Sequence, residues 1–166
     1  MLYDDVFREL AIRRVRYLIV GGIAVNLHGY SRLTMDMDIM LDLSEANMEQ
    51  AVLAFEQLGY APKAPVKAAE LISAGKRREW IAQKRAVVFT FIHTAAPYKM
   101  IDIFLDNPVD FDKAFERRTQ LNIGGVAVDV ASVEDLIKMK TISGRPRDME
   151  DVEHLRKISS GGGTAR

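Results

Sequence analysis

The chain has 166 residues, 48% hydrophobic and 28% charged, with 23 basic and 23 acidic side chains. That length suits one domain with a real core and is too short for two. Zero formal charge argues against a strong general affinity for nucleic acid, which rests on phosphate neutralisation, and the lack of cysteine excludes disulfides, thiolate zinc sites and cysteine nucleophiles. No apolar run reaches the length of a membrane span. The acidic start Met1-Leu2-Tyr3-Asp4-Asp5 is unlike a signal peptide, so cytoplasmic residence is the expectation.

Leu2 to Arg13 has apolar residues at helical spacing and predicts a first helix, with Arg13, Arg14 and Arg16 as its solvated end. Tyr17-Leu18-Ile19-Val20 reads as a buried strand ended by Gly21-Gly22. Two residues without Cβ atoms allow a sharp turn and close approach by a ligand. Ile23 to Tyr30 follows as a short helix, and a glycine turn opening a helix leaves backbone N–H groups that favour phosphate. Met35 to Leu41 alternates as a strand, with Met35, Met37, Ile39 and Leu41 toward the core and Asp36, Asp38, Met40 and Asp42 on the other face.

Ser44 is expected to cap a helix over 46–58 that Gly59 closes. Residues 60–66, with Pro62 and Pro65, read as a loop or an edge strand. Helices follow over 68–74 and 76–85, broken at Gly75. Here Lys76, Arg77, Arg78, Lys84 and Arg85 surround Trp80. Basic residues interleaved with an aromatic can hold RNA, which makes this segment the first place to look for an acceptor. A solvated face with Trp80 turned inward is the favoured alternative.

Residues 86–93 and 98–105 predict a hairpin, with His93 as a turn residue. Asp110 caps a short helix, and Gly124-Gly125 joins strands over 118–123 and 126–130. Ser132 and Asp135 form a capping-box signature for a helix to about Ile142. Pro146 opens the last helix, on which Asp148 and Asp151 share a face. The expected fold is α+β, a mixed sheet of about five strands with flanking helices. One domain spans residues 1–158, and 159–166 form a flexible tail.

The chemistry centres on acids. In a strand, Asp36 and Asp38 stand roughly 7 Å apart on one face. Neighbouring carboxylates repel unless a cation lies between them, and Mg²⁺ accepts two carboxylates, phosphate oxygens and water as ligands. Asp102 sits between Ile101 and Ile103 in another strand pattern. A charge there is paired, bound to metal, or on a strand edge facing water. Three carboxylates can hold two metals roughly 3.5–4 Å apart for in-line displacement at phosphorus. The competing interpretation of Asp36 and Asp38 is a solvated acidic strand face.

The order Gly21-Gly22, Asp36-Met37-Asp38 and an isolated Asp102 resembles the nucleotidyltransferase superfamily that includes DNA polymerase β. His28 to Thr34, a later helix carrying Lys140, and Arg145-Pro146-Arg147-Asp148-Met149-Glu150-Asp151 resemble its minimal nucleotidyltransferase and AbiEii-type toxin branch. The resemblance spans about residues 15–157. It implies transfer of a nucleoside monophosphate from an NTP to a hydroxyl of RNA, tRNA, protein or a small molecule, with Mg²⁺ or Mn²⁺ and with an antitoxin as a possible partner. By the same resemblance Asp36, Asp38 and Asp102 hold metal. Gly21 and Gly22 cradle phosphates, and Thr34 belongs to the nucleotide site. Arg32 or Lys140 neutralises charge, and Asp148 orients Lys140 or the nucleotide. His28 reads equally as a phosphate contact or a packing residue. The alternative to an enzyme is a catalytically weak nucleotide- or partner-binding module on the same fold.

Overall fold

The computed structural model describes residues 1–161. Their order is α1 (Asp4–Ile12), β1 (Tyr17–Val20), α2 (Gly21–Leu27), β2 (Met37–Leu41), α3 (Glu45–Gln57), β3 (Tyr60–Pro62), a 3-10 turn (Ala68–Ile72), α4 (Ala74–Lys84), β4 (Val88–His93), β5 (Met100–Phe104), α5 (Phe111–Glu116), β6 (Thr119–Ile123), β7 (Val126–Val130), α6 (Val133–Ser143) and α7 (Pro146–Ser160). The fold is α+β. Its strands form one mixed sheet in the order β3-β4-β5-β2-β1-β7-β6.

The sheet has seven strands rather than about five. β3, which carries Pro62, pairs at one edge with β4. The β6–β7 hairpin extends the other edge through a parallel pairing of Ile19 with Val130, which no local pattern announces. β2 begins at Met37, so Asp36 precedes the strand and Met35, expected in the core, is exposed. The second helix starts at Gly21 and ends at Leu27, leaving 28–36 as irregular chain. The helix break falls at Ser73, whose Oγ accepts from Lys76 N, and not at Gly75. Ser44 occupies the cap position of α3 without a side-chain cap bond. α7 continues through Ser160, so residues 159 and 160 are helical, while 162–166 of the expected tail lie outside the described residues.

Burial along the strands explains where a site can form. All four residues of β1 are buried, so the sheet centre is covered on both faces. β4 and β5 alternate: Phe89, Phe91, Ile101 and Ile103 are buried, while their neighbours are only partly covered. The covered face packs on an aromatic cluster of Phe55, Tyr60, Phe89, Phe91 and Trp80, with Trp80 stacked on Phe89 at 5.4 Å. Each such ring removed from water contributes roughly 2–3 kcal/mol. The opposite face of the hairpin is left free for function.

Candidate active site

That free face carries a row of side chains set by register. β1 and β2 are antiparallel with Val20 beside Asp38, β2 and β5 parallel with Asp38 beside Asp102, and β4 and β5 antiparallel with Thr90 beside Asp102. Two carboxylates therefore stand on adjacent strands in the sheet centre, about the 4.8 Å interstrand spacing apart in backbone. Thr90 Oγ1 donates to Asp102 Oδ1 at 2.5 Å, which fixes that carboxylate. Tyr3 fixes the approach to Asp36. Its hydroxyl lies 2.6 Å from the Met35 carbonyl and 2.9 Å from that of Met100, and accepts from Met100 N.

Electrostatics separate these acids from ordinary surface carboxylates. Burial, and then the charge of Asp102, push Asp38 up to about 6, although Lys140 pulls the other way. Asp102 is also raised, chiefly by burial, with Asp36 adding to it and Thr90 opposing. Both acids thus pay for ionisation, which is the condition a bound cation relieves.

The glycine pair opens the space beside them. Gly21 has φ +64°, and a Cβ there would overlap the Asp38 carboxylate. A Cβ on Gly22 would lie 2.6 Å from Arg32 Nη2 and 2.7 Å from Thr34 Oγ1. Only glycine lets the α2 start approach both the acids and the Arg32 loop. That loop is held by Asn26, whose amide donates to the Arg32 carbonyl and accepts from Arg32 N, and by Arg147, which donates to the Leu33 carbonyl at 2.6 Å.

α6 and α7 form the opposite wall. Buried Lys140 lies 3.2 Å from Asp148 and 2.7 Å from Asp151, and Arg32 Nε lies 3.1 Å from the other Asp151 oxygen. The two Asp151 contacts are close ion pairs without the alignment of hydrogen bonds. Asp148 also accepts from Ser143 Oγ and Arg145 Nε, both at 2.8 Å. Burial alone would raise Asp148, but these two donors and Lys140 hold it below the usual carboxylate range.

Gly21, Gly22, Arg32, Thr34, Asp36, Asp38, Asp102, Lys140 and Asp148 all line one polar cleft of about 340 Å³. The structure brings together every residue singled out for the site. It adds Arg145 and Arg147 to the lining, with Asp151, Asn26, Thr90 and Tyr3 behind it. Arg145 and Arg147 stand in the very segment that carried the resemblance, so their charge was the available signal. Three other residues find structural roles. His28 Nε2 pairs with the Ala131 carbonyl at 2.8 Å, tying α2 to the end of β7. Buried Arg77 donates to the carbonyls of Leu71, Ile72 and Leu43. Trp80 faces the core, and no residue of α4 lines the polar cleft.

A divalent cation is implied by the resemblance, and the donor set suits one. Asp36, Asp38 and Asp102 supply hard oxygens, and the two sheet acids carry charge that the fold compensates only in part. Among the described residues no three acidic or histidine side chains close into a cage. Asp36 stands one residue outside the strand that holds Asp38. An open pair of carboxylates fits an ion that completes its shell with phosphate and water.

Comparison with known proteins bears on the family and the fold. Residues 5–159 match the model of the family described as nucleotidyltransferase of unknown function, DUF6036. No curated protein matches the sequence significantly. Among solved structures the fold is similar to the antibiotic-resistance factor ANT(2'')-Ia, at TM-score 0.60 and 16% identity over 98% of this chain and 83% of that one. It is similar to the lincosamide antibiotic adenylyltransferase LnuA in its lincomycin-bound form, at 0.58 and 17% over 92% and 93%. It is also similar to an antigenic nucleotidyltransferase-like protein from Paracoccidioides brasiliensis, at 0.54 and 16% over 92% and 71%. Among the described residues no helix is long and apolar enough to cross a membrane. With the family model spanning nearly the whole chain, the protein belongs to the nucleotidyltransferases of the DUF6036 family.

Proposed function

We propose that the protein transfers a nucleoside monophosphate from an NTP to a hydroxyl acceptor with a divalent cation, Mg²⁺ or Mn²⁺, at Asp36, Asp38 and Asp102. The observation that carries this is the side-by-side placement of Asp38 and Asp102, both raised, on the floor of a cleft whose other wall is cationic. A cation held by these acids would supply charge neutralisation at the reacting phosphate.

The remaining work falls to the chain's own residues. The terminal phosphates lie against Gly21 and Gly22, which line the cleft and, having no Cβ, let Asp38, Arg32 and Thr34 close in around the same spot. Arg32, Arg145 and Arg147 face the leaving pyrophosphate, and Thr34 adds a neutral hydroxyl. Lys140, held by Asp148 and Asp151, fixes a positive charge beside the acids. Asp102, positioned by Thr90, takes up the proton of the attacking hydroxyl. Phosphoryl-group transfer is mainly positioning and charge stabilisation, and this inventory provides both. Support also comes from the family and from the adenylyltransferases that share the fold. The toxin role and antitoxin partner that the resemblance implies have no counterpart among the relatives named above.

Calorimetry with each NTP and Mg²⁺ tests the site. Asp36→Asn combined with Asp38→Asn is expected to abolish Mg²⁺-dependent NTP binding while circular dichroism and melting show an intact fold. Equal binding by wild type and double variant would remove the metal-site assignment.

A further inference from the structure

A second cleft meets the first at the carboxylates. It measures about 490 Å³, the size of a small-molecule site, and shares Gly21, Asp38, Asp102, Lys140, Arg145 and Asp148 with the polar cleft. Its own walls are apolar: Val87, Phe104, Pro108, Leu136, Met139 and Ile142. Val87 and Ile142 stand at its rim, 64% and 66% exposed.

The strand register puts the two clefts on either side of the acids. β2 and β5 run parallel with Asp38 beside Asp102. Asp36, in the polar cleft, lies two residues before that row, and Phe104, in the apolar cleft, two residues beyond it. In-line displacement at phosphorus requires the attacking oxygen to arrive opposite the leaving group. With pyrophosphate departing into the arginine-lined polar cleft, the attacking hydroxyl arrives through the apolar one.

We propose that the acceptor is a small hydroxyl-bearing organic molecule with an uncharged apolar body, seated between β5 and α6. This rests on the nucleotidyltransferase function proposed above. The acceptor oxygen bonds to the α-phosphorus as its bond to the bridging oxygen breaks. Pyrophosphate leaves, and the hydroxyl proton passes to the carboxylate pair and on to solvent. An RNA acceptor would need cations along its path. The groove has none beyond Lys140 and Arg145 at the acids, and the basic residues of α4 do not line it.

The test incubates the full chain with Mg²⁺ and each α-labelled NTP, supplied separately with total RNA, with cellular protein and with an organic-solvent extract of small metabolites. Label is expected in a product of the metabolite extract. Val87→Asp and Ile142→Glu, both at exposed positions, are expected to lower that transfer roughly tenfold or more, because each places a charge against an apolar ligand. NTP affinity should stay within about twofold, under 0.5 kcal/mol. Label in RNA or protein overturns the proposal, as does undiminished transfer in both variants. A large loss of NTP affinity in the variants assigns the groove to the nucleobase and overturns it too. Label in RNA or protein overturns the acceptor assignment alone, whereas NTP bound without transfer to any pool, or no NTP binding by the wild type, overturns the function beneath it.

Discussion

The floor and the wall of the polar cleft are both built from buried charge, yet they are in opposite states. On the floor, Asp38 and Asp102 are pushed up by burial and by neighbouring acids, with no cation bound directly to either by a close ion pair among the described residues. On the wall, Asp148 is held down, and Lys140, Arg32, Asp148 and Asp151 balance one another's charge. The floor is destabilised in the free protein and the wall is self-compensated. Strain of the first kind is retained where a ligand relieves it, whereas a charge-balanced network serves as scaffold.

The sharpest way to break that contrast is to remove the wall's central acid. Asp151 is 1% exposed and touches both Arg32 and Lys140. Asp151→Ala removes the one close ion pair of partly buried Arg32 among the described residues and leaves buried Lys140 with Asp148 alone, and removing one member of a buried pair costs about 3–5 kcal/mol. Urea unfolding should show a loss of that size. A change below about 1 kcal/mol would mean that the wall is not the scaffold described.

On the floor the same operation should have the opposite sign. Asp38 has an ordinary value of 3.8 and a folded value of about 6. Above about pH 6 it is charged in the fold at a cost that the unfolded chain does not bear. As pH falls from 6 toward 4 the folded protein takes up a proton that the unfolded chain does not yet bind, and stability rises. Asp148 behaves in reverse: its contribution is intact above its ordinary value and is lost as pH falls through its lower folded value. For these two groups the metal-free protein is most stable near about pH 4. Asp38→Asn is expected to stabilise the metal-free protein by roughly 1–3 kcal/mol at pH 8 and to flatten the alkaline limb. Melting curves across pH, with and without Mg²⁺, read both effects. A destabilised D38N variant at pH 8 would place Asp38 with the scaffold.

The two regions also differed in how far they could be read from residues alone. Asp38 and Asp102 were legible because an acid between β-branched or apolar strand residues is anomalous wherever it occurs. Gly21 and Gly22 were legible only through their order ahead of Asp36-Met37-Asp38, since a glycine pair by itself most often just turns the chain. Asp151 and Asn26 were not singled out for the site, because an acid on a helix face and an amide in a helix usually meet water. Their partners, Lys140 and Arg32, come from other elements. Pattern likewise gave the local strands but not the β1–β7 pairing, which joins segments more than 100 residues apart. Such parallel contacts leave no turn between them to announce the register. Met35 was misassigned for a related reason: alternation continues past the point where the Tyr3 hydroxyl captures the Met35 carbonyl and ends the strand.

That tyrosine offers the smallest and most specific change. Tyr3 is fully buried, and its hydroxyl joins the chain just before Asp36 to the start of β5. Burial chiefly pushes its phenol up to about 12, so it remains a neutral donor at every working pH. Tyr3→Phe keeps the ring and its packing but frees the Met35 carbonyl. The expected stability loss is about 1–2 kcal/mol, the net worth of the bond the hydroxyl donates and the one it accepts from Met100 N. Activity should fall several-fold more than NTP affinity, because the bond positions Asp36 and does not touch substrate. If NTP affinity and turnover fell together, Tyr3 would be acting on the whole cleft, and the distinction between a strained floor and its supporting frame would have to be drawn elsewhere.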